Sequence, residues 1–167
     1  MKKKTLLLAG LLTSGMFAVL ASSPDKNTTE QLRREIRKTY PKAEKLDFSR
    51  AGRVYLSDKD GKPLGHVRYT HPLSAGARGF RGPVPVMVML DASGKVLTVS
   101  LLSCREDSSF LRKLYRAEYF DSWSGFSRAD AAELDVDGVT GATFSSKAAA
   151  ESVRSLLREK RKDRRSQ

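Results

Sequence analysis

A threonine hydroxyl stands where a glycine-containing segment, residues 137–143, meets an Ala-rich amphipathic run. Gly138 and Gly141 permit backbone conformations that are closed to other residues, which predicts a turn leading into a helix. The first amides of a helix have no intrahelical partner and lie at the positive end of the helix dipole. An anion placed there meets free N–H donors. The pattern favours a phosphate ester at Thr143, and its alternative is a helix-cap threonine in an ordinary glycine turn.

The run Asp-x-x-Thr-Gly-Ala-Thr-x-Ser-Ser-Lys, residues 137–147, resembles the flavinylation motif of the FMN-binding domain family. That family includes the extracytoplasmic flavin subunits of the Rnf and Nqr electron-transport complexes and small stand-alone relatives. Its last motif threonine carries FMN through a phosphodiester, which a separate flavin transferase installs from FAD. The resemblance implies Thr143 as the acceptor. The residues it places around the acceptor are Asp137, Gly138, Thr140, Gly141 and Ala142. Asp137 either positions the acceptor or a metal-bound FAD in the transferase, or caps the turn.

The resemblance extends upstream to the loop Gly79-Phe80-Arg81-Gly82 and the two strand-like segments that follow it. These are similar to the family's aromatic glycine loop and hairpin, in the family's order. The resemblance implies close backbone approach to the cofactor at Gly79 and Gly82, ring stacking by Phe80, and charge compensation by Arg81 or Arg78. The alternative for each is a basic solvent loop with a structural aromatic residue.

One departure follows the second strand-like segment. Relatives often read Glu-Thr-Pro-Gly there, whereas residues 106–109 of this chain read Glu-Asp-Ser-Ser. Because the Pro-Gly turn is missing, the shape of this loop does not carry over from the family.

The length of 167 residues fits one domain with a sizeable core and excludes two large domains. Residues 1–21 combine three lysines, an apolar stretch and small residues before a plausible cleavage point after Ala21. We interpret them as a secretory signal. The alternative is an uncleaved anchor, because the uncharged stretch from residue 5 to residue 21 approaches the roughly 17–25 residues that span a bilayer. Both interpretations predict an extracytoplasmic protein.

The chain carries a formal charge of +12, and part of it lies in a basic C-terminal tail, residues 158–167. The tail is either a solvated helix end or a segment attracted to anionic lipid or an acidic redox partner. Nucleic acid is not expected as a partner, since the chain reads as exported and no aromatic residues interleave the tail.

The small number of cysteines and histidines excludes several kinds of redox and metal site. Cys104 stands alone, so no intrachain disulfide, iron–sulfur framework or c-type haem attachment is expected. His66 and His71 are five residues apart and lack the spacing of a hydrolytic zinc pair on a helix. No metal site and no catalytic residue are predicted. Redox chemistry would therefore need an organic cofactor.

The hydrophobic pattern predicts an α+β domain with a mainly antiparallel sheet and flanking helices. The expected strands are residues 45–50, 53–57, 64–70, 84–90 and 95–102, the last two forming a hairpin. Helices are expected from Thr28 or Thr29 to about residue 40, from a cap at Ser108 or Ser109 to about residue 118, and over residues 145–158. The aromatic residues Tyr119, Phe120, Trp123 and Phe126 are expected in the core rather than against a flavin.

The predicted organisation is a leader over residues 1–21, an N-terminal helix and first strands over 22–63, an FMN-binding core over 64–157 and the basic tail. The predicted function is an exported electron-carrying flavoprotein module rather than a stand-alone enzyme, with FMN on Thr143. Its expected partners are a flavin transferase and redox donor and acceptor proteins, which include membrane-bound ones among the candidates. The alternatives are the same fold without covalent FMN, as a binding or assembly module, and a basic exported polyanion-binding protein.

Overall fold

A five-stranded antiparallel sheet organises the domain. The computed structural model describes residues 24–50, 52–70 and 77–158. The strands are β1 (Lys45–Arg50), β2 (Arg53–Ser57), β3 (Pro63–Tyr69), β4 (Val86–Asp91) and β5 (Val96–Leu101), and they follow one another in the order β1-β2-β3-β4-β5. Every neighbouring pair is antiparallel. The predicted α+β architecture is therefore confirmed.

One face of the sheet is covered by helix α1 (Lys26–Thr39). Leu32 and Ile36 of this helix pack with alternate residues of β2, β3 and β4, including Val54 and Val67. The Tyr40 hydroxyl, just after α1, donates a 2.7 Å hydrogen bond to the Leu90 carbonyl. Burial and the nearby Asp91 raise the pKa of Tyr40 to about 12, so this donor keeps its proton.

The opposite face carries α2 (Ser108–Arg116), a 3₁₀ helix (Tyr119–Trp123), α3 (Arg128–Glu133) and α4 (Thr143–Arg158). Apolar residues of α4, such as Val153 and Leu157, pack with Val86, Val88 and Leu90 of β4. The Ser152 hydroxyl donates a 2.9 Å hydrogen bond to the Val84 carbonyl from within this buried contact. Both faces of β4 are thus covered, and these contacts fix α4 against the sheet.

Most predicted elements are present in the structure. The disagreements concern the helix caps, one short helix, the burial of one aromatic residue and the ends of some elements, such as β4, which begins at Val86 rather than at residue 84. Asp25 caps α1 and Asp107 caps α2, each through its carboxylate, rather than the Thr or Ser residues that were predicted. The helix α3 was not predicted, because its six residues are too short for a visible apolar period. Tyr119, Phe120 and Trp123 are buried as expected, but Phe126 is 42% exposed, so its assignment to the core is wrong.

The predicted leader and most of the predicted tail lie outside the described residues. Among the helices that the structure describes, none is both long enough and apolar enough to cross a membrane.

Candidate functional site

The segment before α4 forms a tight turn closed by local hydrogen bonds. The Ala142 amide donates to the Val139 carbonyl at 2.9 Å, and the Ser146 amide donates to the Ala142 carbonyl at 2.9 Å. Gly141 has a φ of +72°, in the left-handed region that favours glycine. Gly138 does not adopt a positive φ. Of the two glycines predicted to have unusual backbone conformations, only Gly141 has one.

Ser146 joins this turn to the helix. Its hydroxyl accepts a 3.1 Å hydrogen bond from the Val139 amide and donates a 3.0 Å bond to the Thr143 carbonyl. The Ser146 carbonyl in turn accepts a 2.8 Å bond from the buried Tyr119 hydroxyl. Burial raises the pKa of Tyr119 to about 12, which keeps that donor protonated. The first turn of α4 is therefore stabilised by hydrogen bonds to neighbouring residues of the chain and by one hydrogen bond from the 3₁₀ helix.

The N-terminus of α4 presents Thr143 to solvent. Its side chain is exposed, and its hydroxyl has no hydrogen-bond partner among the described residues. In the same part of the chain, no group accepts from the backbone amides of Thr143, Phe144 and Ser145. Ser145 is 1% exposed, and its buried hydroxyl also lacks a partner among described groups. This helix end offers an accessible hydroxyl and several unsatisfied donors, which suits a phosphate oxyanion.

Helix α2 supplies a cation to the turn. The Lys113 ammonium donates a 3.0 Å hydrogen bond to the Gly141 carbonyl and lies 5.9 Å from the centre of the Phe110 ring. A Cβ on Gly141 would lie 2.5 Å from the Lys113 Nζ. Glycine at this position therefore serves both the positive φ and the close approach of Lys113. Sequence reasoning missed Lys113, because 28 residues separate it from its partner.

The loop of residues 79–82 is fixed by one buried carboxylate. Glu106, 7% exposed, accepts hydrogen bonds from the amides of Phe80 at 2.8 Å and Arg81 at 3.1 Å. A Cβ on Gly79 would lie 1.9 Å from the Glu106 Oε2, so the close approach at Gly79 is made by Glu106. A Cβ on Gly82 would meet no atom within 4 Å. The glutamate of the segment that departs from the family pattern thus organises this loop, a role that sequence reasoning did not assign.

The loop displays its aromatic residue beside α2. Phe80 is 64% exposed, and its ring meets the Phe110 ring edge-on at 5.5 Å between centroids. Arg81 points toward Asp107, with 3.5 Å between the guanidinium and carboxylate. Hydrogen bonds from Ser109, helped by the charge of Arg81, lower the pKa of Asp107. Phe80 is free to contact a planar ligand, whereas Arg81 already has an anionic neighbour.

A depression of about 550 Å³ borders the turn and the first turns of α4. Its lining residues include Arg78, Asp137, Gly138, Phe144 and Lys147. Asp137 is exposed and Phe144 is 72% exposed. Thr140 is exposed in the turn, while Ala142 is buried beneath it. Among the residues described, no group of His, Cys, Asp or Glu side chains is arranged to hold a metal ion.

The sequence-predicted residues therefore converge on one surface from two distant segments. The loop reaches α2 through the Phe80–Phe110 contact, α2 reaches the turn through Lys113, and Arg78 lines the same depression as Asp137. An exposed hydroxyl, unsatisfied amides, a nearby ammonium and an exposed aromatic ring fit a phosphate-tethered planar cofactor such as FMN.

Comparison with known proteins gives an independent result. Residues 79–158, from the first residue of the loop to the last residue of α4, match the family model described as FMN-binding domain. No curated protein matches the chain. The matched segment contains the loop, the hairpin of β4 and β5, and the turn before α4. This part of the chain belongs to the FMN-binding domain family, and the protein therefore contains an FMN-binding module.

Proposed function

We propose that the protein is an exported electron-carrying flavoprotein whose FMN is attached through a phosphodiester to Thr143. The observation that carries the proposal is the exposed Thr143 hydroxyl at the N-terminus of a 16-residue helix whose first amides have no acceptor among the described residues. A phosphodiester keeps one negative charge, and the helix dipole together with these amides stabilises it.

The attachment exchanges the phosphoanhydride bond of FAD for a phosphate ester bond to threonine. The Thr143 oxygen bonds to the phosphorus of FAD that carries the riboflavin half, the pyrophosphate bond breaks, and AMP leaves with its electron pair. The threonine proton passes to a base of the transferase or to the released AMP. This exchange needs an accessible acceptor oxygen, and the Thr143 side chain is exposed and makes no competing hydrogen bond with a described group.

The isoalloxazine ring is proposed to lie on the surface formed by Phe80, Phe110 and Lys113. Phe80 presents an exposed ring, and the Phe110 ring supports it edge-on. The Lys113 ammonium lies between that aromatic pair and the Gly141 carbonyl. A positive charge beside the ring favours the reduced, anionic flavin over the neutral oxidised form.

The export and electron-transfer parts of the proposal rest on the sequence. The lysine-rich start and apolar stretch of residues 1–21 support passage across a membrane. A covalent tether prevents loss of a cofactor that cannot be readily replaced outside the cytoplasm. The proposed partners are the flavin transferase and redox proteins that donate and accept electrons.

Mass spectrometry of the chain co-expressed with a flavin transferase tests the attachment. We expect a mass increase of one FMN less water on the peptide that contains Thr143. Thr143→Ala should abolish it, and Thr143→Ser, which keeps an oxygen nucleophile, should retain part of it. If the parent chain stays unmodified while the same transferase modifies another substrate, covalent attachment is wrong and FMN binding is non-covalent.

The ring position has its own test. In the modified protein, Phe80→Ala is expected to shift the flavin absorbance maxima and the reduction potential. Phe126→Ala is a matched control. Phe126 is also partly exposed, but it lies beside the start of β5, where its carbonyl accepts a hydrogen bond from the Val96 amide. Identical spectra and potentials in parent and Phe80→Ala would remove Phe80 from the ring site.

A further inference from the structure

Helix α2 presents a basic face beside the proposed flavin position. Its nine residues include Arg112, Lys113 and Arg116 and no acidic residue. Leu114 is the buried residue of this helix, and at about 100° per residue the side opposite Leu114 carries Arg112 and Arg116. Lys113 and Tyr115 lie at the two edges of that side, and all four side chains are exposed. These four residues are called the α2 face below.

The cations of the α2 face have no anionic partner within the described part of the chain. Arg112 donates a 3.3 Å hydrogen bond to the Ser108 hydroxyl, which is neutral. Lys113 donates to the Gly141 carbonyl, which leaves its charge in place. The Arg116 guanidinium makes no hydrogen bond or ion pair with a described group. Exposed guanidinium groups in this state can pair bidentately with the carboxylates of another molecule.

The acidic side chains next to α2 in sequence lie at its two ends. The Asp107 carboxylate caps the helix, accepts a 2.8 Å hydrogen bond from the Ser109 amide and lies 3.5 Å from the Arg81 guanidinium. Glu106 is buried and accepts hydrogen bonds from backbone amides. Glu118 follows the C-terminal end of the helix. The charge that α2 itself directs outward is therefore positive.

Tyr115 adds an apolar component to the α2 face. It is 57% exposed, and its ring lies 5.6 Å from the Phe120 ring between centroids. Tyrosine and arginine are both enriched in protein–protein interfaces, where they combine an apolar body with a polar tip. A tyrosine beside two exposed arginines is therefore suited to packing against another protein.

The α2 face adjoins the surface proposed for the isoalloxazine ring. Phe110 and Lys113 of that surface belong to α2, and Phe80 meets Phe110 at 5.5 Å between ring centroids. A helix with its side chains is about 10 Å across, so the α2 face lies within about that distance of the ring position. A protein that exchanges electrons with the ring must approach it closely and would therefore cover α2.

We propose that the α2 face is the docking surface for a redox protein whose electron-exchange site is surrounded by acidic side chains. This inference rests on the proposed function, which places the flavin beside α2. Complementary charge steers such a partner to the flavin side of the domain and raises the association rate. Encounters between electron carriers bury little surface, so a few cations and one aromatic ring suffice for a transient complex.

An anionic lipid surface has the same sign of charge as an acidic protein. A membrane lying against α2 would also cover the neighbouring Phe80 and Phe110, and it would close the flavin to the proteins that donate and accept its electrons. An acidic protein is therefore the favoured occupant, because it can bring its own redox group to the ring.

NMR titration of the unmodified full chain with oxidised plant-type ferredoxin, an acidic one-electron carrier, tests the docking surface without FMN. We expect saturable shifts that are largest at the amides of residues 110–116. Added salt should weaken the binding, because it screens exposed charges. The double variant Arg112→Gln/Arg116→Gln should weaken it about tenfold, the loss of two exposed ion pairs.

Helix α1, on the other face of the sheet, offers a matched control. Its Arg33 and Arg37 are also exposed and four positions apart. The double variant Arg33→Gln/Arg37→Gln removes the same charge and should weaken ferredoxin binding less than about twofold. Equal weakening by the two double variants would overturn the proposal, since ferredoxin would then sense only overall charge. Shifts that are largest outside α2 would also overturn it. Thermal melts check that both variants are folded.

Stopped-flow reduction of the FMN-loaded chain by reduced ferredoxin tests the electron-transfer step. Full reduction of one FMN takes two electrons, one from each of two ferredoxin molecules, and a proton from water. The second-order rate constant should fall about tenfold in Arg112→Gln/Arg116→Gln and less than about twofold in Arg33→Gln/Arg37→Gln. Equal rate constants in the parent and both variants would overturn the docking surface. A chain that binds ferredoxin at α2 but takes up no FMN would refute the covalent attachment and leave the docking surface standing.

Phosphatidylglycerol vesicles distinguish a protein partner from a lipid surface. Ferredoxin shifts at α2 without vesicle binding support the proposal. Vesicle binding that Arg112→Gln/Arg116→Gln abolishes, with no ferredoxin shifts at α2, would overturn it and assign the α2 face to a membrane surface.

Discussion

The two ends of α4 are built in different ways. The N-terminal end is built almost entirely from one stretch of sequence, residues 137–147, with Lys113 as the contact from α2. The C-terminal end is built from β1, β2, β3 and α3, which contribute one arginine each. A short motif therefore marks the N-terminal site, whereas the four arginines at the C-terminal end lie together only because the sheet and helices pack against each other.

The hydrogen bonding of the two ends also differs. At the N-terminus, the first amides and the Ser145 hydroxyl have no acceptor or partner among the described groups. At the C-terminus, the carbonyls of Leu156 and Leu157 accept from Arg68 and Arg128. A bound anion at the N-terminal end would accept hydrogen bonds from these unsatisfied donors. At the C-terminal end, by contrast, two carbonyls are satisfied by arginine side chains of the fold.

The largest expected effect is on the loop that flanks the N-terminal site. Gly79→Ala would force a Cβ to within 1.9 Å of the Glu106 Oε2 and 2.8 Å of the Val84 Cγ2. We expect a loss of about 2 kcal/mol in the free energy of unfolding, as for other overpacked sites. Gly82→Ala meets no atom within 4 Å, so it should stay within about 0.5 kcal/mol of the parent. Urea denaturation measures both.

Equal stabilities of the two alanine variants would contradict the assignment of Glu106 as the anchor of this loop.

A smaller effect is expected within the motif itself. Ser146→Ala removes a hydroxyl that bonds both the Val139 amide and the Thr143 carbonyl, and we expect a loss of about 1 to 2 kcal/mol. Ser145→Ala is the matched control, because it removes a buried hydroxyl with no partner among the described residues. That change should be neutral or slightly stabilising in the unmodified protein.

Thermal unfolding of the two serine variants gives the comparison, and the extent of flavin attachment provides a second measurement. Ser146→Ala should also slow attachment, since the turn before Thr143 loosens. A Ser145→Ala variant less stable than Ser146→Ala would contradict the hydrogen-bond assignment.

The smallest effect concerns the pH dependence of stability and involves His66 of β3. His66 has a pKa of about 4 in the folded protein, against 6.5 ordinarily, because of burial and the charges of Arg68, Arg53 and Arg128. As pH falls, His66 is protonated first in the unfolded chain. The contribution of neutral His66 to the free energy of unfolding is therefore fully present above pH 6.5 and is lost as pH falls toward 4. We expect a loss of about 1 kcal/mol, since partial exposure screens the charges.

Unfolding free energies at pH 7.5 and pH 5 measure this loss, and His66→Gln should reduce it. An unchanged pH dependence in His66→Gln would show that the histidine does not sense the arginines. The pKa of Asp107 is lowered from 3.8, so protonation of this carboxylate affects stability only below the pH range in which His66 titrates.

Much of the fold followed from local patterns. The strands β1 and β2 begin and end at the predicted residues, and α4 ends at Arg158 as predicted. The helix caps were misassigned because Asp25 and Asp107 each stand close before serine or threonine residues that could also cap. The helix α3 was missed because six residues give too short a period.

The sequence predicted residues of the candidate site but not the contacts that join them. The motif identified Thr143 and Gly141, and the upstream loop identified Phe80. Neither segment revealed that the Glu106 carboxylate lies beneath the loop or that the Lys113 ammonium contacts the turn. These contacts join residues 26 and 28 positions apart, respectively, and nothing local marks them.

By itself, the sequence determined the helical and strand periods, the glycine turn before α4 and the hydroxyl that ends it. These depend on interactions between residues a few positions apart. Only the tertiary structure decided that the loop and the turn share one surface, and that four arginines converge at the far end of α4. The contact between Arg68 and Leu156, for example, spans 88 positions. Such contacts depend on how the sheet and helices pack, because only packing brings distant side chains within hydrogen-bond range.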